Sequence, residues 1–194
     1  MKERTVTGSL HWLPGLVLMF VLMLGMSTGA SAESISYLDG QWDDYQKKVV
    51  YNTRSANCTR LDEDTDEDLD ESWYYVSGNN IYDDDKLEVE AGTVNIILCD
   101  GSYIKLEDGI YVPSGHTLNI YSQSHGSNMG KMDAIADKNC TAGIGGKEGE
   151  ACGTINIYGG KIYARGDDNW DSSGEGGAGI GGGEQIHAVH LLGL

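Results

Sequence analysis

The chain has 194 residues, with 13 lysines and arginines against 30 aspartates and glutamates, a formal charge of −17. So acidic a chain repels phosphate backbones, whose binding requires a basic stripe, and nucleic acid is excluded as a partner. Cations and neutral polymers are the partners that this field favours.

The N-terminus reads as a secretory signal peptide over residues 1–32. Lys2 and Arg4 give a positive start, residues 16–26 are apolar, and Ala30-Ser31-Ala32 is a small-residue cleavage site. The apolar stretch is shorter than the roughly 20 residues of a membrane span, so the leader predicts a secreted or cell-surface protein with no span after cleavage. Without Lys2, Glu3 and Arg4 the remaining chain carries 11 basic and 29 acidic residues, a formal charge of −18. Export also permits disulfides among Cys58, Cys99, Cys140 and Cys152. Cys140 and Cys152 bracket a Gly-rich loop and are the first candidates for a bridge; four thiols are the alternative. No CxxC or neighbouring histidine pair supplies zinc-ligand spacing.

Residues 33–72 read as a polar, partly disordered lead-in that ends in a charge block, eight acids in the ten residues 62–71. Such blocks repel themselves and stay solvated. Asp62, Asp64 and Asp66 alternate as in a calcium loop, but Glu67 stands where the turn needs glycine and Trp73 where the bidentate glutamate belongs. No cofactor is expected, beyond calcium held loosely by this block.

From residue 73 to 184 short apolar and polar alternations are broken by Gly, Asp and Ser, the signature of strands. The predicted strands are 73–76, 87–90, 94–98, 103–106, 110–112, 118–121, 131–135, 155–158 and 161–164. They fall into triplets, and the text repeats: AGIGG at 142–146 returns at 178–182, and TLNIY at 117–121 is echoed by TINIY at 154–158 and TVNII at 93–97. Repeats of this length mark stacked units that bury an apolar face only against a neighbour. The fold class expected is therefore all-β, a right-handed parallel β-helix of about three to four coils. A stack of antiparallel β hairpins is the alternative, because Gly159-Gly160 between two alternating runs suits a two-residue turn. In the middle column Val94/Ile96, Leu118/Ile120 and Ile155/Ile157 point inward. The intervening Asn95, Asn119 and Asn156 then form an outward ladder, with Tyr121 and Tyr158 on the same face. Residues 185–194 leave the repeat and read as a cap or a cut end.

Catalytic motifs are weak by comparison. Gly177-x-Gly179-x-x-Gly182 matches a dinucleotide fingerprint, yet no helical pattern follows to receive a phosphate. Asp100, Glu107, Asp108, Asp133, Asp137, Asp167 and Asp168 fall at turns or strand ends rather than on one column, whereas glycosidic cleavage needs paired carboxylates. His116 and His125 join no serine or cysteine constellation. Arg165-Gly166-Asp167 spells a tripeptide read by integrins, a match short enough to arise by chance.

Over residues 73–183 the segments WYYVSG, VNIILCDG, GIYVPSGHTLNIYSQS, AGIGG, GTINIYGGKIYARG and GAGIGGG resemble a family of secreted bacterial Gly-rich repeat proteins. Its members are described as adhesin-like or as carrying a carbohydrate-binding-type domain. The resemblance implies a β-helical stalk at the cell surface and brings no catalytic residues. It is similar to this family except for the acidic insertion at 62–71 and Lys147 after the first AGIGG. The expected function is a non-catalytic adhesin-like protein whose partner is a glycan or a host or cell-surface protein. Asn95, Asn119, Tyr121, Asn156 and Tyr158 are the expected contact residues. The alternative is a polysaccharide lyase or hydrolase on a pectate-lyase-like β-helix.

Overall fold

The computed structural model describes residues 32–82, 86–137, 141–167 and 176–182. Residues 1–31 of the expected leader and the tail 185–194 lie outside the described residues. Among those described there are fifteen strands and no helix, so none is long and apolar enough to cross a membrane.

Where the sequence pattern gives a polar lead-in, the structure has a long antiparallel hairpin, β1 (Glu33–Asp43) and β2 (Lys48–Arg60), in register from Glu33↔Cys58 to Asp43↔Lys48. Its turn is built locally. The Asp43 carboxylate accepts from the Gln46 backbone amide at 2.8 Å and the Gln46 side-chain amide at 2.9 Å, which hold that carboxyl below its ordinary range, and from the Tyr45 backbone amide at 2.9 Å. Ile35 and Tyr37 are the buried alternate residues of β1, whereas Trp42 and Tyr45 at the tip are exposed.

The rest of the chain comprises β3 (Asp68–Leu69), β4 (Trp73–Val76), β5 (Asn79–Tyr82), β6 (Leu87–Val89), β7 (Thr93–Leu98), β8 (Tyr103–Leu106) and β9 (Ile110–Tyr111). After these come β10 (Thr117–Ser122), β11 (Lys131–Ile135), β12 (Ile144–Gly145), β13 (Thr154–Ile157), β14 (Lys161–Arg165) and β15 (Ile180–Gly181). They are shared among three sheets: β1-β2-β4-β7-β10-β13, β14-β11-β8-β5 and β15-β12-β9-β6-β3. From β3 on, neighbours within a sheet are parallel and lie three strands apart in sequence. Parallel partners need a long connection, and here the other two sheets supply it. All three sheets contribute to one apolar core, including Leu69, Leu87 and Ile110 from one, Ile96, Leu118 and Ile120 from another, and Ile104, Leu106 and Met132 from the last.

The expected right-handed parallel β-helix is corrected by this arrangement. The largest sheet is mixed, because residues 33–60 enter it as an antiparallel pair. The five-stranded sheet is made of strands only two or three residues long. Mixed and parallel sheets curl around a shared core instead of forming a clear solenoid. The hairpin-stack alternative also fails, since β13 pairs in parallel with β10 and β14 with β11, leaving Gly159-Gly160 between different sheets. The pairing within the middle column does follow the repeats: Asn119 is opposite both Asn95 and Asn156, and Ile120 is opposite Ile96 and Ile157.

Candidate functional site

Each sheet has an outward face, and the three differ in what covers them. On the six-stranded sheet, alternation along the strands sends out Trp73, Tyr75, Asn95, Ile97, Asn119, Tyr121, Asn156 and Tyr158. The amides form the expected ladder: Asn156 Nδ2 donates to Asn119 Oδ1 at 2.8 Å, Asn119 Nδ2 to Asn95 Oδ1 at 2.9 Å, and Asn95 Nδ2 to the Ser72 carbonyl at 2.8 Å. The β1–β2 hairpin packs onto this face. Tyr37 lies 4.7 Å from Tyr121 and 4.9 Å from Trp73 between ring centroids, and Tyr121 stacks on Tyr158 at 4.8 Å and 5°. Ile35, Tyr37, Cys58, Tyr75, Ile97 and Tyr121 make a second apolar cluster there. Asn95, Asn119 and Tyr121 are consequently buried, and Asn156 and Tyr158 half-buried.

The thiols of Cys58 and Cys99 belong to the same covered layer, and burial pushes each up to about 11. The suggested partner of Cys152, Cys140, lies outside the described residues; the backbone of Cys152 pairs antiparallel with that of Pro113. The acidic block is tied down at its start, where Asp62 pairs with Arg60 at 3.2 Å and its backbone amide bonds the Thr65 hydroxyl at 3.0 Å. Among the described residues no three His, Cys, Asp or Glu side chains are grouped as metal ligands.

The five-stranded sheet answers its own charges. Asp68, Glu88, Tyr111, Gly145 and Gly181 follow one another in register. Lys147 Nζ pairs with Glu88 at 3.1 Å and sits 3.9 Å over the Tyr111 ring, and the Tyr111 hydroxyl donates to Glu150. Burial, reinforced by Glu150, pushes the Tyr111 phenol up to about 12; burial, with Lys147 nearby, pulls Lys86 down to about 8. Beyond Tyr111 the column has only glycine and presents no side chain.

Among the described residues nothing covers the outward face of the four-stranded sheet. Two columns run across its strands: Asn79, Tyr103, Lys131 and Lys161 in one, Ile81, Lys105, Asp133 and Tyr163 in the other. Ile81 and Tyr163, on the two edge strands, are 51% and 54% exposed, as an uncovered face leaves them. Beside them a cleft of about 640 Å³ is lined by Asn79, Tyr103, Asn128, Lys131 and Asp133, with Ser127 and Met129 at its wall. The Tyr103 hydroxyl donates to Asp133 at 2.8 Å, fixing the ring across the floor; burial first, and this bond second, raise its phenol above the ordinary value. The result is a phenol ring, two amides, a lysine and a carboxylate converging on solvent, a set suited to orienting a polyhydroxylated ligand.

These residues were legible only in part. The third strands of the triplets, YIKL, KMDAI and KIYA, align Tyr103 with Lys131 and Lys161, whereas Asn79 and Asn128 lie outside any predicted strand. No family model matches the chain, and neither a curated protein nor a solved structure does.

Proposed function

We propose that this is a non-catalytic, adhesin-like glycan-binding protein of the cell exterior, and that the open face of the four-stranded sheet is where it holds its ligand. The observation that carries the reading is the cleft beside Tyr103, on the sheet face that the hairpin leaves open. A phenol ring can stack on the apolar side of a pyranose while neighbouring amides meet its hydroxyls. The two columns run perpendicular to the strands, so contacts repeat about every 4.8 Å along the stack, as an extended polymer requires. Repeated weak contacts then add through effective concentration. Export, read from the N-terminal residues, supports an extracellular glycan as the available partner. Glycosidic hydrolysis takes two carboxylates flanking one bond, and among the described residues lining the cleft Asp133 is the one carboxylate.

Solid-phase binding to a panel of immobilised polysaccharides tests this reading. The chain is expected to be retained on at least one polymer, and Tyr103→Ala with Asn128→Ala to lose most of that retention at unchanged circular dichroism. Retention that survives both substitutions would place binding elsewhere, and release of soluble sugar would favour the enzymatic alternative.

A further inference from the structure

We infer that the ligand of the open face is a carboxylated polysaccharide, with its acidic groups seated on the neighbouring side chains of Lys131 and Lys161. This rests on the glycan reading above and names the class of glycan.

Lys131 and Lys161 stand directly opposite each other on β11 and β14. Like charges in that position oppose sheet pairing. Five other cations are answered by a carboxylate, Lys47 by Asp44, Arg54 by Asp39, Arg60 by Asp62, Lys105 by Glu107 at 2.5 Å and Lys147 by Glu88, whereas among the described residues Lys48 has no ion pair and Lys86 donates to the Ala142 carbonyl. Among the described residues neither Lys131 nor Lys161 has a carboxylate within salt-bridge distance. The Lys161 ammonium donates only to the Ser127 carbonyl, at 2.6 Å, while Lys131 is exposed at the cleft. Asp133, the nearest acid along β11, accepts instead from Tyr103. Lys131 and Lys161 are thus two unanswered cations at adjacent register positions, and an arriving carboxylate removes their repulsion. At about 0.1 M salt the Debye length is about 10 Å, so remote acids are screened and the pair decides the local preference.

Spacing argues for an extended polymer. Adjacent strands are about 4.8 Å apart, close to the advance of an extended pyranose chain per residue, so a chain along the column keeps step with it and a uronate carboxylate turned toward the sheet meets the ammonium groups of Lys131 and Lys161 together. Tyr103 and Asn79 continue the same column and would carry the next sugars.

The test compares polygalacturonate with its fully methyl-esterified form, which keeps the backbone and removes the charge, and with dextran sulfate. Retention on polygalacturonate is expected to exceed that on the ester by about ten-fold. Lys131→Gln with Lys161→Gln should reduce it to the level of the ester without lowering Tm, because both side chains are at the surface. Equal retention on acid and ester, still lost in Tyr103→Ala, would overturn the inference and leave the glycan reading standing. Preference for dextran sulfate would overturn the carboxylate assignment. Failure to be retained on these polymers and on every other polysaccharide tried would remove both.

Discussion

Asn119 shows how one polar residue can be buried on a sheet face without cost. It is both donor and acceptor in the amide ladder, giving its Nδ2 to Asn95 and receiving from Asn156. Buried amides must be satisfied, and an unpaired one costs about 1–3 kcal/mol. Asn119→Ala strands Asn95 Oδ1 and Asn156 Nδ2 together and is expected to lower stability by about 2 kcal/mol, measured by urea denaturation. Asn119→Asp still accepts from Asn156 but has no hydrogen to give Asn95 and adds a buried charge, so it should be the worse of the two. An Ala variant as stable as the parent would mean that the ladder contributes nothing to the fold.

At the scale of the element, the strands differ in how far their sequence determines them. β8 and β11 coincide with the alternating runs YIKL and KMDAI, and the TxNI columns fixed the register of β7, β10 and β13 because inward branched residues and outward amides cannot exchange faces. The β1–β2 hairpin was not legible. Its second strand, KVVYNTRSANCTR, carries polar residues on both faces and becomes ordered through what it covers, a tertiary effect that no local period records. The cleft was half legible for the same reason, since Asn128 comes from a connecting segment. Glycine decides the five-stranded sheet. At Gly145 φ is +145° and an added Cβ would collide with the Gly181 carbonyl oxygen, whereas at Gly115 φ is +88° with no heavy atom within 4 Å of that position. Gly145→Ala should therefore unpair β12 from β15 and cost about 3 kcal/mol, while Gly115→Ala bears only backbone strain of about 1 kcal/mol. Thermal melts of the two variants check the order, and equal losses would contradict it.

For the whole molecule, the hairpin is a cover that converts an aromatic and amide strip into interior. Cys58 and Cys99 lie in that covered layer, raised from a thiol's usual 9 to about 11 by burial. A raised acid favours the fold while it stays protonated. Its contribution is complete below pH 9 and is lost as pH rises through 11. Tm should consequently fall between pH 9 and pH 11, and fall less in a Cys58→Ala, Cys99→Ala variant; an identical fall in that variant would show that the thiols play no part.

With most of the strip covered by the hairpin, the open sheet is the face we propose for the ligand, and hydroxyl-radical footprinting with and without bound polysaccharide tests that assignment most directly. Met129 and Tyr103 at the cleft and Tyr163 beside it should be oxidised in the free protein and protected by the polymer, with Trp73, Tyr121 and Tyr158 unchanged. Protection confined to Trp73, Tyr121 and Tyr158, with Tyr103, Met129 and Tyr163 oxidised as before, would contradict it.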